Sequence, residues 1–305
     1  MTAFAPPAAR VRRPTVRGGR SGVTWMALPA LLMFVAFGLI PLVGVLLLSF
    51  TTWNGIGAIH PSGLTSWRNA LSDPELPHAL WVTFEIMAIS WLVQTPISIL
   101  IGVFLAAFKR YRGFLAVLYF IPLLLSSAAI SITFKALIDP NFGIGAGLGL
   151  SVLKQNWLGE PKLAIGVLIF IVSWQYIPFH SLIYQGAVRQ IPATLYEASK
   201  LDGAGTIRQF FWITLPQIKY TIITSSTLMV VGSLTFFDLI YVLTGGGPGD
   251  STRALALEMY QKGFMANLMG PASAIAMILV LVGLILAQLL RRLGGRGDES
   301  QLEGV

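Results

Sequence analysis

The amino-acid sequence predicts an all-α, polytopic membrane protein with six transmembrane helices. Hydrophobic residues make up 55% of the 305-residue chain and charged residues only 11%, about half the charged fraction of an average soluble protein. Six apolar segments each have close to or more than the ~20 residues that a helix needs to cross the hydrocarbon core of a bilayer. These segments are residues 24–50, 79–108, 114–137, 163–187, 218–243 and 271–290.

The first apolar segment is predicted to be a membrane span and not a cleaved signal peptide. Residues 24–50 are too long for the apolar region of a signal peptide and lack its small-residue cleavage site. Residues 1–23 are rich in Pro, Ala and Arg, and residues 293–305 are rich in Gly and charged side chains. Neither end has enough apolar side chains to bury, so both are expected to be disordered tails around a six-span domain over residues 24–292.

The distribution of basic residues predicts that both termini lie in the cytoplasm. Fourteen of the 21 Lys and Arg residues lie in the tails and in the loops after the second and fourth spans. They are Arg10, Arg12, Arg13, Arg17, Arg20, Lys109, Arg110, Arg112, Arg189, Lys200, Arg208, Arg291, Arg292 and Arg296. The other three loops hold only five, and membrane proteins concentrate basic residues on the cytoplasmic side. This placement relates the net charge of +8 to orientation and to membrane lipid, and it argues against nucleic acid as a partner.

The predicted cytoplasmic loop at residues 188–217 is the most informative part of the chain. An apolar stripe with a spacing of three predicts a short first helix, and its members are Leu195, Ala198 and Leu201. Gly203 and Gly205 can both take positive φ at the turn that follows, and a β-branched residue at Gly205 would strain the turn if its φ is positive. A second short helix is expected to end at Pro216. The segment suits insertion into a groove on a cytoplasmic partner, and a surface helix at the lipid headgroups is the alternative.

This loop resembles the EAA motif of binding-protein-dependent transporter permeases. The matching positions are Glu197, Ala198, Ser199, Asp202, Gly203, Ala204, Gly205, Phe210, Ile213, Leu215 and Pro216, after Ile191 and Pro192. Ser199 is the one departure, at a position where Ala is common in the family. The resemblance implies the type I ABC importer permease fold, with the loop as a coupling helix in a cleft of the ATP-hydrolysing subunit. It also implies two copies of that ATPase, which would bind ATP and Mg, so no cofactor is expected in this chain.

A second stretch resembles carbohydrate-type permeases, those of the maltose and glycerol-phosphate transporters above all. Residues 237–248, FDLIYVLTGGGP, followed by Ser251 and Thr252, are similar to the end of the fifth core span in these proteins. The resemblance implies a bacterial cell (inner) membrane location and a second permease subunit that completes a heterodimer. It further implies an extracytoplasmic binding protein that delivers a sugar, either a di- or oligosaccharide or a related polyol or glycerol-phosphate.

Residues on the fourth and fifth spans are candidate substrate-binding groups. Trp174, Gln175, Tyr176 and Phe179 combine rings with hydrogen-bonding groups near Pro178, and sugars bind through both kinds of group. Composition alone favours ordinary aromatic packing. Trp174 and Phe179 nevertheless resemble aromatic positions of the sugar site in the maltose-type subunit. Positions similar to the other wall of that site share one face of the fifth span, and they are Met229, Gly232, Ser233 and Phe236.

The sequence argues against an enzyme or a metal site in this chain. Cysteine is absent, which excludes disulfides and thiolate ligands, and no group of His, Asp or Glu has metal-ligand spacing. Gly245-Gly246-Gly247 lacks the Lys-Ser/Thr of a phosphate loop and is expected to form a turn at a helix end. The alternative function is an ion-gradient-driven secondary transporter. That class would be expected to show ionisable residues at mid-bilayer and inverted repeats of broken helices, and no repeat is visible.

Overall fold

The computed structural model describes residues 21–107 and 110–294, and the chain divides into two compact units after Gly44. Most of the predicted tails, residues 1–23 and 293–305, therefore lies outside the described residues. The first helix begins at Ser21, three residues before the predicted start of the first span. Gly294 is the last described residue and ends the last helix.

The first unit is an apolar helix with one widened turn. Helix α1 spans Ser21–Phe34, a π-helical turn covers Val35–Leu39, and α2 continues over Ile40–Leu48, into the second unit. The π-helical turn ends two residues before Pro41, with the Ile40 amide donating to Val35 O. Proline lacks an amide hydrogen and crowds the preceding turn, so the wider turn accommodates it without ending the helix.

The second unit begins with a small hairpin and a short helix. Strands β1, Thr51–Thr52, and β2, His60–Pro61, are antiparallel, and α3 follows over Thr65–Leu71. The last helix, α15, spans Met269–Gly294 and begins beside this hairpin. Gly270 allows that approach, since a Cβ at this position would collide with the Thr51 carbonyl.

Two long helices form the most extensive helix–helix interface of the described chain. Helix α4 spans Glu75–Ala106 and corresponds to the second predicted span; α8 spans Pro161–Arg189 and corresponds to the fourth. The predicted bounds of these spans, 79–108 and 163–187, differ from the observed ones by a few residues at each end. Helix α8 is continuous through Pro178, so the proline does not break it.

The third and fifth predicted spans are broken helices, and the prediction of single helices was wrong. Helices α5, Arg110–Leu124, and α6, Ser127–Leu137, meet at an angle of 102°. The Ser126 side chain accepts a hydrogen bond from the Ala129 amide at 3.2 Å, which starts α6 in its new direction. Helix α12, Lys219–Ser233, is separated by four residues from α13, Asp238–Leu243.

The predicted count of six spans is not reached by helix length and composition alone. Four helical stretches of the described chain are long and apolar enough, and the bent α5–α6 pair makes five if it is one span. The four are Trp25–Leu48, Glu75–Ala106, Pro161–Arg189 and Met269–Leu293. Helix α12 has 15 residues, and its length of about 22 Å is less than the ~30 Å hydrocarbon core. Six spans therefore remain a prediction.

The remaining elements are short. Helix α7 spans Ile144–Gly147, a 3-10 turn covers Ser151–Lys154, and α14, Leu255–Tyr260, runs into a π-helical turn at Gln261–Met265. Gly245, with φ of +64°, ends α13 as the predicted turn at a helix exit. The largest buried cluster joins α4, α6, α8, α13 and α14, and includes Val82, Ile130, Leu168, Ile171, Ile240 and Leu257. This core holds the broken helices in place around the cavity described next.

Candidate functional site

A cavity of about 370 Å³ lies between α4, α8 and α12, where both broken helices are interrupted. Its lining residues are Met87, Ser90, Trp91, Gln94, Leu123, Tyr176, Phe179, His180, Leu228, Met229, Gly232, Ser233, Thr235 and Phe236. Leu123 is next to the last residue of α5, and Ser233 is the last residue of α12. Non-helical backbone at membrane depth is tolerated where it lines a cavity. The cavity therefore accounts for the presence of two helix breaks inside the membrane domain.

The α8 wall contains two of the four residues predicted there. Tyr176 and Phe179 line the cavity, and they are joined by His180. Trp174 and Gln175 do not reach it. At 100° per residue, Trp174 faces about 200° away from Tyr176, on the opposite side of the helix.

Trp174 and Gln175 have other partners. The Trp174 ring packs edge-on against Phe134 of α6, with ring centroids 5.4 Å apart. Gln175 is buried, and its amide donates to the Leu125 carbonyl at 3.3 Å and bonds with Ser127 Oγ. Gln175 therefore stabilises the break between α5 and α6.

The α12 wall contains all four residues predicted for it. Met229, Gly232, Ser233 and Phe236 line the cavity, and the Phe236 ring lies 5.7 Å from the Tyr176 ring. The Ser233 hydroxyl donates to Val230 O at 2.7 Å, and the Thr235 hydroxyl donates to Gly232 O at 2.8 Å. Such local bonds compete with the helical ladder and favour the interruption after Ser233.

A third wall, on α4, was missed at the sequence level. Met87, Ser90, Trp91 and Gln94 follow the i, i+3, i+4, i+7 spacing of one helical face. The signal was present in the sequence, because Gln94 is a polar residue in the middle of a predicted span. The surrounding segment is apolar on all sides, so its pattern did not show which face mattered.

Three hydrogen bonds between helices set the shape of the cavity. Trp91 Nε1 donates to Ser226 Oγ at 2.8 Å. The Thr95 hydroxyl contacts Met229 Sδ at 3.4 Å, and His180 Nδ1 lies 2.8 Å from Ser225 Oγ. These bonds fasten α4 and α8 to α12. We call these three contacts the cavity frame.

The lining of the cavity is uncharged. Its described residues include no Asp, Glu, Lys or Arg. Aromatic rings and neutral hydrogen-bonding groups are the combination that binds the C–H faces and hydroxyls of sugars.

The predicted coupling loop forms two short helices around a turn, as expected. Helix α9 spans Ala193–Leu201, and α10 spans Thr206–Gln209. The Ala204 amide donates to Ser199 O at 2.8 Å and the Gly203 amide to Lys200 O at 3.0 Å, the paired bonds of a Schellman helix end.

The positive φ of this turn belongs to Gly203 and not to Gly205. Gly203 has φ of +75°, whereas Gly205 has φ of −72° and ψ of 170°, an extended conformation that other residues adopt readily. The expectation of backbone strain at Gly205 was therefore wrong, because the Schellman geometry requires the left-handed residue directly after the helix cap, Asp202.

Ser199, the one departure from the motif, links the two helices of the loop. Its hydroxyl donates to Tyr196 O at 2.9 Å and accepts from Gln209 Nε2 at 3.0 Å. The same Gln209 amide donates to Ala204 O at 3.2 Å. An alanine would lose both hydroxyl bonds, so Ser199 stiffens this loop.

The second helix continues to Gln217, one residue beyond Pro216, where it was expected to end. A π-helical turn at Phe210–Thr214 leads into α11, Leu215–Gln217, and the Leu215 amide donates to Phe210 O. The π-helical turn ends two residues before the proline, as it does before Pro41 in the first unit. The widened turn again relieves the crowding by the proline ring.

The coupling loop has an exposed apolar surface. Leu201 is 91% exposed, Ile207 76% and Trp212 77%. The predicted coupling residues are mostly exposed as well, with Ser199 and Ala204 half-buried and the others, Glu197, Ala198, Asp202, Gly203 and Gly205, exposed. Large apolar side chains held out by a rigid loop favour contact with another molecule.

A cluster of charged residues lies apart from the cavity. Lys262 Nζ is 2.6 Å from Asp73 Oδ2 and 3.4 Å from both Glu75 and Glu258, while Arg253 bonds Glu75 at 3.0 Å. The three carboxylates come within 4.8 Å of one another, which is compatible with a metal site. The Lys262 ammonium and the Arg253 guanidinium already pair with these carboxylates, so this cluster is an internal ion-pair network.

Burial and pairing shift the pKa values in this network. Burial raises the pKa of Asp73, but hydrogen bonds from Lys262 and from the Glu75 amide, together with nearby positive charge, leave it below its ordinary value. Burial lowers the pKa of Lys262, yet the bond to Asp73 and the carboxylates around it raise the value overall. Burial raises the pKa of Glu258.

Comparison with known proteins identifies the family. Residues 96–296 match the family described as "Binding-protein-dependent transport system inner membrane component", and this chain belongs to that family. A probable ABC transporter permease protein of Pyrococcus horikoshii is 33% identical over 85% of this chain and 90% of its own length. The arabinooligosaccharides transport system permease protein of Bacillus subtilis is 29% identical over 88% of this chain and 86% of its own length.

A solved structure shows the same fold. The crystal structure of a bacterial alginate ABC transporter, in complex with an alginate pentasaccharide-bound periplasmic protein, contains a chain that superposes with a TM-score of 0.77. The match covers 90% of this chain and 94% of that one, at 20% sequence identity. The protein thus has the type I ABC importer permease fold and is a multi-pass membrane protein.

Proposed function

We propose that this chain is a permease subunit of an ATP-binding-cassette importer that moves a sugar delivered by an extracytoplasmic binding protein. The observation that carries the proposal is the uncharged, aromatic cavity at the breaks of two membrane helices. Membership in the binding-protein-dependent family supplies the class of transport. The name of the Bacillus subtilis relative, which refers to arabinooligosaccharides, supports a carbohydrate as the substrate.

The chain is proposed to work in a heterodimer with a second permease, together with two ATPase subunits that bind ATP and Mg. Its termini would face the cytoplasm in a bacterial inner membrane. The exposed Leu201, Ile207 and Trp212 would enter a cleft of one ATPase. Closure of the ATPase pair would then move the loop and turn the cavity from one side of the membrane to the other.

Tyr176, Phe179 and Phe236 would contact the sugar rings. Transport by alternating access makes and breaks no covalent bond in the sugar, so the site needs no reactive group. It needs only to bind the sugar weakly enough for release. ATP hydrolysis would take place in the partner subunit, and this chain would contribute movement only.

An ion-gradient-driven transporter is the second candidate, and one observation favours it. Broken helices at a cavity are common in that class, and the α5–α6 and α12–α13 breaks fit this pattern. Ion coupling also calls for ionisable side chains near the site. The described lining of the cavity has no carboxylate, lysine or arginine. Its one histidine, His180, is buried and bonded to Ser225, which favours the ATP-driven function.

Uptake by proteoliposomes tests the proposal. Proteoliposomes that contain the chain with its partner permease, ATPase and binding protein should accumulate a radiolabelled sugar only when ATP is enclosed. Arabinotriose, maltotriose and lactose form a suitable panel. Uptake that continues without ATP and stops when ionophores collapse the ion gradients would contradict the proposal and support the second candidate.

A further inference from the structure

The α4 wall of the cavity contains a buried polar group that forms no hydrogen bond within the described chain. Ser90 is 3% exposed, and its Oγ has no hydrogen-bond partner in the described chain. Gln94 lies one helical turn further along the same face and is also 3% exposed. Buried hydroxyls without a partner destabilise a protein, and they are rare without a specific reason.

The neighbouring polar residues are used differently. Trp91 and Thr95, next in sequence to Ser90 and Gln94, bond across to Ser226 and Met229 of α12. These two belong to the cavity frame and fix the distance between the helices. The α4 face is thus divided between residues that hold the frame and Ser90, whose hydroxyl faces the same helices without a partner in the described chain.

The absence of charge in the described lining restricts the ligand that the cavity can bind. The lining has no lysine or arginine to pair with an anion, and its histidine, His180, is buried and already bonded to Ser225. A carboxylate or phosphate group taken from water into this cavity therefore loses far more hydration energy than neutral hydrogen bonds return. Sugar hydroxyls have no such penalty, because each both donates and accepts, as the Ser90 hydroxyl and the Gln94 amide do.

We propose that Ser90 and Gln94 are specificity-determining residues that bond the hydroxyls of a neutral saccharide and make the cavity disfavour acidic or phosphorylated sugars. The inference rests on the proposed function and goes beyond it in two respects. It adds α4 to the walls that contact substrate, and it narrows the substrate class to uncharged saccharides. Tyr176 and Phe236 on the facing helices supply the stacking surface for the same ligand.

Equilibrium binding to the permease–ATPase complex in nanodiscs, prepared without the binding protein, tests the inference. The probes are arabinotriose, maltotriose and lactose as neutral saccharides and an alginate trisaccharide as the acidic one. We expect at least one neutral probe to bind, with the alginate trisaccharide at least about 10-fold weaker. Ser90→Ala and Gln94→Leu should each weaken binding of the neutral probe by about 3- to 10-fold, the effect of one lost hydrogen bond.

Ser173→Ala is the matched control. Ser173 Oγ is likewise buried without a partner, but Ser173 lies on α8 and does not line the cavity. Its substitution should leave the affinity for the neutral probe unchanged. Removing the Ser90 hydroxyl should not lower the midpoint of thermal unfolding without ligand, whereas Thr95→Val, which breaks the frame, should lower it.

Each contrary result overturns a defined part of the inference. Equal affinity for the alginate trisaccharide and a neutral probe would overturn charge discrimination. Wild-type affinity in both α4 variants, or the same loss in Ser173→Ala, would overturn the role of the α4 wall. Either result, with ATP-dependent uptake intact, leaves the proposed function standing. If no probe binds and no probe is taken up with ATP, both the inference and the proposed function fail.

Discussion

Gly102 of α4 and Tyr184 of α8 touch across the interface of the two long helices, at a point where no side chain other than hydrogen fits. A Cβ on Gly102 would lie 2.8 Å from Tyr184 Cβ, 2.9 Å from Ser181 O and 3.0 Å from the Gln185 amide nitrogen. Two of these three atoms belong to the backbone of α8, which cannot move aside as a flexible side chain would. One turn further along, Gln185 Nε2 donates to Leu105 O at 3.0 Å and reinforces the contact.

Gly102→Ala should therefore destabilise the protein by about 1–3 kcal/mol through overpacking. The midpoint of thermal unfolding of the purified complex measures this effect. Gly186→Ala is the control, because Gly186 lies on the same α8 helix and a Cβ there meets nothing within 4 Å. That control should be neutral or stabilising by up to about 1 kcal/mol, since alanine favours helix more than glycine does. Equal midpoints for the two variants would show that the helices are not held this closely.

Gly203 and Gly205 should respond oppositely to a β-branched residue. Gly203→Val forces valine into a left-handed conformation that costs about 1–2 kcal/mol and should disrupt the end of α9. Gly205→Val imposes no such strain, because φ is −72° and the space around it is open. Helix content and unfolding of the permease without its ATPase should reveal the difference.

Co-purification of the ATPase separates strain from steric hindrance in the partner. If the permease carrying Gly205→Val has the wild-type unfolding midpoint but loses the ATPase, bulk at the docking contact is the cause. If Gly203→Val keeps both the midpoint and the ATPase, the turn is not essential to the coupling loop.

Lys262 should stabilise the loop cluster strongly, because its removal leaves Asp73, Glu75 and Glu258 close together without their ammonium partner. Lys262→Met is expected to cost about 3 kcal/mol, in the range for breaking a largely buried ion pair. Lys162→Met is the control, since Lys162 is exposed and forms no ion pair within the described residues. Chemical or thermal unfolding of both variants at neutral pH gives the comparison. A loss below about 1 kcal/mol for Lys262→Met would mean that the network is screened like an ordinary surface pair.

The same network predicts how stability depends on pH. The pKa of Asp73 is lowered by folding, so its contribution is present above its ordinary value near 4 and is lost as pH falls through the lower folded value. The pKa of Lys262 is raised, so its contribution is present below its ordinary value of 10.5 and is lost as pH rises through the folded value. The pKa of Glu258 is also raised, so its contribution runs opposite to that of Asp73 and diminishes as pH rises through the folded value. Unfolding midpoints of wild type and Lys262→Met from pH 3 to 11 should converge at both ends; a constant difference would contradict this assignment.

The predicted orientation can be tested with single cysteines, since the chain has none of its own. Ala204→Cys, in the coupling loop, should react with a membrane-impermeant maleimide only in inverted vesicles. Phe142→Cys, at a position that is 91% exposed in the loop after the third predicted span, should react in intact cells. If Ala204→Cys were labelled in intact cells, the loop at residues 188–217 would lie outside, and the true topology would be the reverse of the predicted one.

The sequence predicted the helical class, the long helices and the two short helices of the 188–217 loop because each depends on local pattern. The breaks were missed for a physical reason: residues 114–137 and 218–243 stay apolar through the interruptions, and hydropathy does not register a change of direction. Local hydrogen bonds between the backbone and the hydroxyls of Ser126 and Ser233 favour those interruptions.

Assignment of faces was limited in a similar way. Trp174 and Phe179 are both aromatic and near Pro178, but only Phe179 reaches the cavity, because the two side chains point about 140° apart around the helix. A helix that is apolar all round carries no sequence signal for the face that a cavity occupies. Ser90 and Gln94 became candidates only when three walls were seen together.

Because α8 is continuous, a movement at one of its ends is transmitted to the other end. Tyr184, pinned against Gly102, lies five residues from Phe179 on the cavity side and five from Arg189 at the entrance to the loop. Each arm is therefore about 7.5 Å long. A sideways displacement of the loop end of α8 would therefore move Phe179 by a similar distance in the opposite direction, and so would change the shape of the cavity.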